Sequence, residues 1–245
     1  MACAPSPCWR ETLKSILAAL ALVGAGSASA IAFSSGEPAK SPPSQAEVDT
    51  QAEPSAEETR KFFLEDALAP TVRPASYDVT IVEYTDYQCP VCRTSHDALM
   101  KLSAADKKVR IIYRDWPIFG PQSRRAARLA IASQWQNKHA PFHDALMKSP
   151  RPLSEQSIKA AAVKADLNWA KLESDLKTRG VEVDDLLERN DAQAIQLDLA
   201  GTPGFIVEDT LYAGGLDLKD LKEAVAIARK AAKPKNFIPP QPEGI

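Results

Sequence analysis

Cys89 and Cys92 stand three residues apart in a run that begins at Glu83, Glu-Tyr-Thr-Asp-Tyr-Gln-Cys-Pro-Val-Cys. Three chemistries use such a pair: a metal clip, a structural disulfide, or two thiols that cycle between dithiol and disulfide. A clip needs about four ligands at suitable spacing. The chain offers three imidazoles, His96, His139 and His143. His96 reads as a surface or domain-boundary residue, and the other two as capping or surface residues. A bridge between near neighbours closes a tiny loop and restricts the unfolded chain little. Cycling thiols fit better. At a helix start, the first sulfur lies among free backbone N–H groups and at the positive end of the dipole, which favours a thiolate. The second, one turn on and on the same side, is placed to resolve a mixed disulfide. Cys89 is therefore expected to be exposed and attacking, and Cys92 more buried and resolving.

Two further groups suit that chemistry. Glu83 precedes Cys89 by six and lies among Ile81, Val82 and Tyr84. A lone buried carboxylate there titrates high or shuttles protons. The alternative is an edge-strand glutamate facing water. Thr202-Pro203 sits between Gly201 and Gly204, in isolation only a turn signal. Beside a Cys-X-X-Cys helix it suggests a cis proline whose neighbouring backbone pairs with a substrate peptide.

These groups need elements to hold them. Asp78 to Tyr84 is β-branched and apolar and predicts a buried strand. Pro90 has the fixed φ of a first helical position, so a helix starts at the pair. Val109 to Pro117 predicts a second strand with its exit loop. Strand, helix, strand is a right-handed crossover in a layered α/β domain. From Ser123 to Leu199 the pattern is helical, with Ser154 and Asn168 as N-caps. "WAKLESDLKTRG" and "DDLLERNDAQAIQLDLA" read as separate helices. Arg124, Arg125 and Arg128 read as a solvated basic face, and Trp116, Trp135 and Trp169 as packing residues. Phe205–Val207 and Leu211–Ala213 form a hairpin, and an amphipathic helix closes the domain.

The first thirty residues stand apart. Arg10 and Lys14 precede the apolar run Ser-Ile-Leu-Ala-Ala-Leu-Ala-Leu-Val, after which small residues lead to Ala28-Ser29-Ala30. That is a secretory signal peptide cut after Ala30; the alternative is an uncleaved anchor over residues 16–35. Cleavage removes Cys3 and Cys8 and leaves one pair in an exported chain. Residues 31–54, rich in Pro, Ser, Ala and Glu, read as a disordered linker. Residues 55–69 form a short helical extension with Ser55 and Glu58 as a capping box. It either packs on the domain or meets a copy of itself; monomer is the expected state, and weighing the chain with and without residues 31–69 decides it. The domain then runs 70–122, is interrupted by a helical insertion at 123–199, resumes at 200–233 and ends in a tail at 234–245. A net charge of −2 argues against nucleic acid as the main partner.

"TIVEYTDYQCPVCRTSHDAL", "YRDWPIFGPQSRRAARLAIAS" and "GTPGFIV" together resemble the DsbA family of thiol–disulfide oxidoreductases, in its exported bacterial branch that includes ScsC-type proteins. The resemblance covers about residues 70–230 and implies a thioredoxin fold with an inserted helical domain. It implies Cys89 as nucleophile, Cys92 as resolving thiol, Glu83 as the buried acid, and Pro203 as the cis proline preceded by Thr202. It also implies exported protein substrates bearing thiols or disulfides, a periplasmic or otherwise extracytoplasmic place, a membrane redox partner, and no cofactor or metal beyond the cysteine pair. Two positions depart from DsbA. Val91 replaces a histidine that makes the pair strongly oxidising, and Thr202 replaces a valine and resembles disulfide isomerases and reductases. The pair is thus expected to be less oxidising than DsbA, and the direction of electron flow stays open. The non-enzyme alternative is a thioredoxin-like metal-binding or chaperone module.

Overall fold

A computed structural model describes residues 55–231. The expected signal peptide or anchor, the linker and the tail lie outside the described residues. Among the described residues, no helix is long and apolar enough to cross a membrane.

The centre is a five-stranded sheet in the order β1-β3-β2-β4-β5. Its central strand β2 (Val79–Thr85) and the neighbouring β3 (Val109–Asp115) are buried at every position. They run parallel, with Glu83 level with Tyr113 and Thr85 level with Asp115. Helix α2 (Pro90–Ala105) connects them, which is the crossover that β-branched strands flanking a helix produce. Strands β4 (Gly204–Val207) and β5 (Thr210–Ala213) form an antiparallel hairpin, and β4 pairs antiparallel with β2. A two-residue strand, β1 (Thr71–Val72), adds antiparallel to β3; it was not expected, because two residues carry no periodicity. Helix α7 (Leu218–Ala231) packs with α2 on one face, around Ile81, Leu99, Ile111, Phe205 and Val225. On the other face, Val82, Tyr84, Ile112 and Ile206 join the core that the inserted helices share.

The insertion comprises α3 (Pro121–Ser133), a short 3-10 turn (Gln134–Gln136), α4 (His139–Met147), α5 (Glu155–Lys164) and α6 (Trp169–Gln196). Ser154 and Asn168 accept backbone N–H groups at the starts of α5 and α6. The two helices expected in the last stretch are one kinked helix of 28 residues, with non-helical angles only at Arg179. Next to the kink, a Cβ on Gly180 would come 2.9 Å from the Arg128 guanidinium. Any larger residue there would push the Arg128 guanidinium aside. The expected basic face is also different. Arg124 and Arg128 pair with Asp184, and Arg125 with Glu155 and Glu173, because α3 lies against α6.

Helix α1 (Ala56–Leu64) begins in the Ser55–Glu58 capping box. It docks on the described unit rather than standing free. Phe63 and Leu64 are buried. The carbonyls of Phe62, Phe63 and Leu64 accept from Gln193, Arg114 and Arg110, so side chains of α6 and β3 satisfy the groups a helix end leaves open.

Candidate active site

Cys89 is the N-cap of α2, not its first turn. Its Sγ accepts the N–H of Cys92 at 3.4 Å, and Pro90 occupies the next position. The Sγ also donates to the Thr202 carbonyl at 3.3 Å. The Thr202–Pro203 peptide is cis. The structure therefore brings Cys89, Cys92, Thr202 and Pro203 into one cluster, although more than a hundred residues separate its two halves. Cys89 is only 3% exposed, against the expectation of an exposed thiol. The cap geometry folds the sulfur back onto the helix, and the cis-proline loop covers its other side. The exposed residues here are Pro90 and Val91. Cys92 is fully buried; burial pushes its thiol up, with the flanking Thr202 and Thr85 hydroxyls opposing.

Asp86 builds the turn ahead of the pair. Its carboxylate accepts from Gln88 N, Ser123 Oγ and Phe119 N at 2.7, 2.7 and 3.0 Å, and its carbonyl accepts from Cys89 N. The Gln88 amide donates to the Phe119 carbonyl and Ser123 Oγ and accepts from Leu153 N. The turn is thereby tied to α3 and to the start of the α5 segment. On the far side, Ser95 Oγ accepts from Leu216 N, and a Cβ on Gly215 would meet Val91 Cγ1 at 2.5 Å. Only glycine lets the loop after β5 close against Val91.

Glu83 is completely buried, with both carboxylate oxygens unpartnered among the described residues. It lies two residues before Thr85 on the same face of β2, one pleat further from the pair. Burial, and then the Asp115 carboxylate, push its carboxyl up to about 8. Glu83 is not the lone acid expected. Asp115, level with Thr85 on β3, is equally buried, and burial raises its carboxyl to about 7. Two carboxyls that ionise near neutrality stand at the end of the sheet where the pair sits. Such groups are suited to exchanging a proton at working pH.

The matching region decides the family: residues 80–226 match the DSBA-like thioredoxin domain. The chain belongs to that family. A crystal structure of a thioredoxin-like oxidoreductase from Silicibacter pomeroyi superposes with a TM-score of 0.67 at 38% identity, covering 71% of this chain and 99% of that one. A sodium/proton antiporter NhaA of Nitrosospira multiformis is 30% identical over 169 residues, 66% of this chain and 26% of the antiporter. A probable disulfide bond formation protein D of Bacillus anthracis is 28% identical over 162 residues, 60% of this chain and 72% of that protein. The chain spans about a quarter of the length of the antiporters it matches.

In this DsbA-like domain the histidines depart most from the sequence reading. His96 and His143 are fully buried and His139 is 8% exposed. They cluster between α2 and α4, against Tyr113 and Tyr87. Burial lowers His139 to about 3 and His143 well below its ordinary value, and lowers His96 against the pull of Asp144. Among the described residues, no group of three or more His, Cys, Asp or Glu is arranged to hold a metal ion. Sequence reasoning missed Asp115, Asp86 and Tyr87. Asp115 carried one signal: a charge at the end of an apolar run, as Glu83 did. Its level relative to the pair depends on the β2–β3 register.

Proposed function

We propose that this chain is an exported thiol–disulfide oxidoreductase that acts on protein substrates through Cys89 and Cys92. The observation that carries the reading is the cluster in which Cys89 Sγ meets both the Cys92 N–H and the carbonyl before cis Pro203. In this reading Cys89 carries the mixed disulfide in either direction: a substrate thiolate attacks the oxidised pair at Cys89 and a second substrate thiolate releases the new disulfide, or reduced Cys89 attacks a substrate disulfide and Cys92 resolves it. The peptide before Pro203 offers backbone to an extended substrate strand. Glu83 takes or returns the Cys92 proton, which a carboxyl pushed up to about 8 by burial and by Asp115 suits.

Residues 1–30 direct export and are cleaved, placing the domain in the periplasm or an equivalent compartment, where disulfides persist. The thioredoxin part, expected over 70–122 and 200–233, gives way to the insertion, expected over 123–199, at Pro121, where α3 begins. A membrane protein exchanges electrons with the pair. Docked α1 supports a monomer, since Phe63 and Leu64 are buried within the chain. Refolding of reduced ribonuclease should be catalysed by the chain and lost in Cys89→Ser; a variant as active as the parent sinks the proposal.

A second reading, an isomerase or reductase kept reduced by its partner, is favoured by Val91 and Thr202. Valine donates no hydrogen bond to a neighbouring thiolate, so the dithiol form is stabilised less than in DsbA. A reduction potential well below about −120 mV is expected, measured by equilibration with glutathione buffers. The redox state of the pair in cells separates the readings: oxidised for a disulfide donor, reduced for an isomerase or reductase.

A further inference from the structure

Between α2, α4 and the end of β3, buried titratable groups converge that disulfide exchange as written above leaves unused. The Tyr87 hydroxyl lies 2.8 Å from His143 Nδ1. The His143 and His96 rings meet edge to face, with centroids 5.0 Å apart. His96 Nε2 lies 3.0 Å from Asp144 Oδ1. The Asp144 side chain is 37% exposed and pairs with Lys148 at 2.6 Å. At the inner end, Tyr87 faces Asp115 without closing a hydrogen bond to it. Asp115 is level with Thr85, whose hydroxyl flanks Cys92. The groups therefore line up from Asp115, level with the Thr85 that flanks Cys92, to Asp144 at the surface.

Tautomers make the chain directional. A neutral imidazole carries one N–H, and its position is assigned from the partners. Asp144 takes the N–H of His96 at Nε2, which leaves His96 Nδ1 bare. Tyr87 donating to His143 Nδ1 leaves the proton of His143 on Nε2. His143 Nε2 and His96 Nδ1 are the ring atoms of this pair without partners among the described residues. One is then a donor and the other an acceptor. No direct hydrogen bond joins them, and a water bridging the two nitrogens completes the path in the relay proposed below. Asp97 and Lys148 also face His96 and oppose each other in sign. His139 stacks on His143 with centroids 5.4 Å apart but forms no hydrogen bond to it, so it is a side branch.

We propose that Tyr87, His143 and His96 form a proton relay between the buried carboxyls beside Cys92 and Asp144 at the surface of the helical insertion. The inference rests on the redox reading of the cysteine pair. In closure, the Cys92 thiol gives its proton to a buried carboxylate and its sulfur attacks Cys89 Sγ in the mixed disulfide. The Cys89–Cys92 bond forms, the bond to the substrate sulfur breaks, and the substrate leaves as a thiolate. The pair loses two electrons and the substrate disulfide gains them. The proton passes from Asp115 to Tyr87 oxygen as the Tyr87 proton moves to His143 Nδ1. The Nε2 proton of His143 moves to His96 Nδ1, that of His96 Nε2 to Asp144, and Asp144 releases it to solvent. The departing thiolate takes a proton from solvent, so atoms and charge balance. In the opposite direction, the same groups return a proton to Cys92.

The test uses the reduced full chain and glutathione disulfide in stopped-flow, with quenched samples weighed to separate attack by Cys89 from closure by Cys92, from pH 5 to 9. Tyr87→Phe keeps the ring and removes the hydroxyl. Asp144→Asn changes the surface exit, where folding is little affected. In both variants attack should stay within about twofold while closure slows on the order of tenfold or more, within the range of acid–base contributions. The closure pH profile should shift as well. Closure at the parental rate and profile in a folded Asp144→Asn overturns the relay even if Tyr87→Phe fails to fold. Equal slowing of both steps overturns it too, since that reports a structural role. Failure of the parent chain to react with glutathione disulfide instead overturns the redox reading itself.

Discussion

The acid pair at the end of the sheet and the imidazole cluster under α4 are buried to the same degree and respond to burial in opposite ways. Desolvation penalises whichever form is charged. It therefore holds Glu83 and Asp115 protonated up to about 8 and about 7. By the same cause, it keeps His139 neutral down to about 3 and His143 neutral well below its ordinary value. One core thus contains acids that ionise late and bases that protonate late, and both are electrically neutral near pH 6. Burial first, helped by the neighbouring carboxylates, brings two carboxyls into the range where a thiol's proton can be exchanged.

The largest effect expected from this comparison is on the alkaline side. An acid raised from 4.5 to about 8 on folding leaves the unfolded chain with fewer bound protons between those values. Stability must fall as pH rises through that window, by about 1.4 kcal/mol per unit for one such group. Glu83→Gln should remove that slope, so its advantage over the parent should grow from pH 5 to pH 8 in urea unfolding of the reduced chain. A constant difference across that range breaks the assignment.

Acid acts through the imidazoles with the sign reversed. The unfolded chain binds the proton of His139 below about 6.5 while the folded chain does not until about 3. Stability is lost as pH falls between those values. His139→Leu, at a position with no hydrogen-bonded partner, should flatten the acid limb by up to about 1.4 kcal/mol per unit. Unfolding midpoints at pH 4 and 6 check it. The smallest change sharpens the contrast with partly exposed charge. Arg125, which pairs with Glu155 and Glu173, is about a quarter exposed, and Arg125→Ala should cost about 1 kcal/mol or less with marked salt dependence. A loss of several kcal/mol there would mean that the α3–α6 contact depends on charge as strongly as the core does on neutrality.

Much of the architecture is written locally. Ser55, Ser154 and Asn168 cap the helices they precede, since an oxygen three residues ahead of a free N–H needs no distant partner. Pro90 marks the start of α2 for a similar reason. The strands bearing Glu83 and Asp115 are legible from their β-branched runs. The kink at Arg179 was not, because helix continuity there follows from α6 lying along α3. The surface reading of His139 and His143 failed for the same kind of reason, while His96 does lie at the boundary between α2 and the insertion. Lys138 and Asp144 give their neighbours a surface look in sequence, and only the seating of α4 against α2 turns the rings inward.

By itself, then, the order of residues determined the reactive pair, the helix that starts on it, the apolar strand that carries Glu83 and the proline turn at residue 203. These depend on contacts a few residues long or on side-chain type. The tertiary structure alone decided that the Thr202 carbonyl reaches Cys89, that the β2–β3 register brings Asp115 level with Thr85, and that His96 and His143 line up between Tyr87 and Asp144. Those juxtapositions join residues dozens to more than a hundred positions apart. Burial, which sets their protonation, is a property of the packed core and of no segment within it.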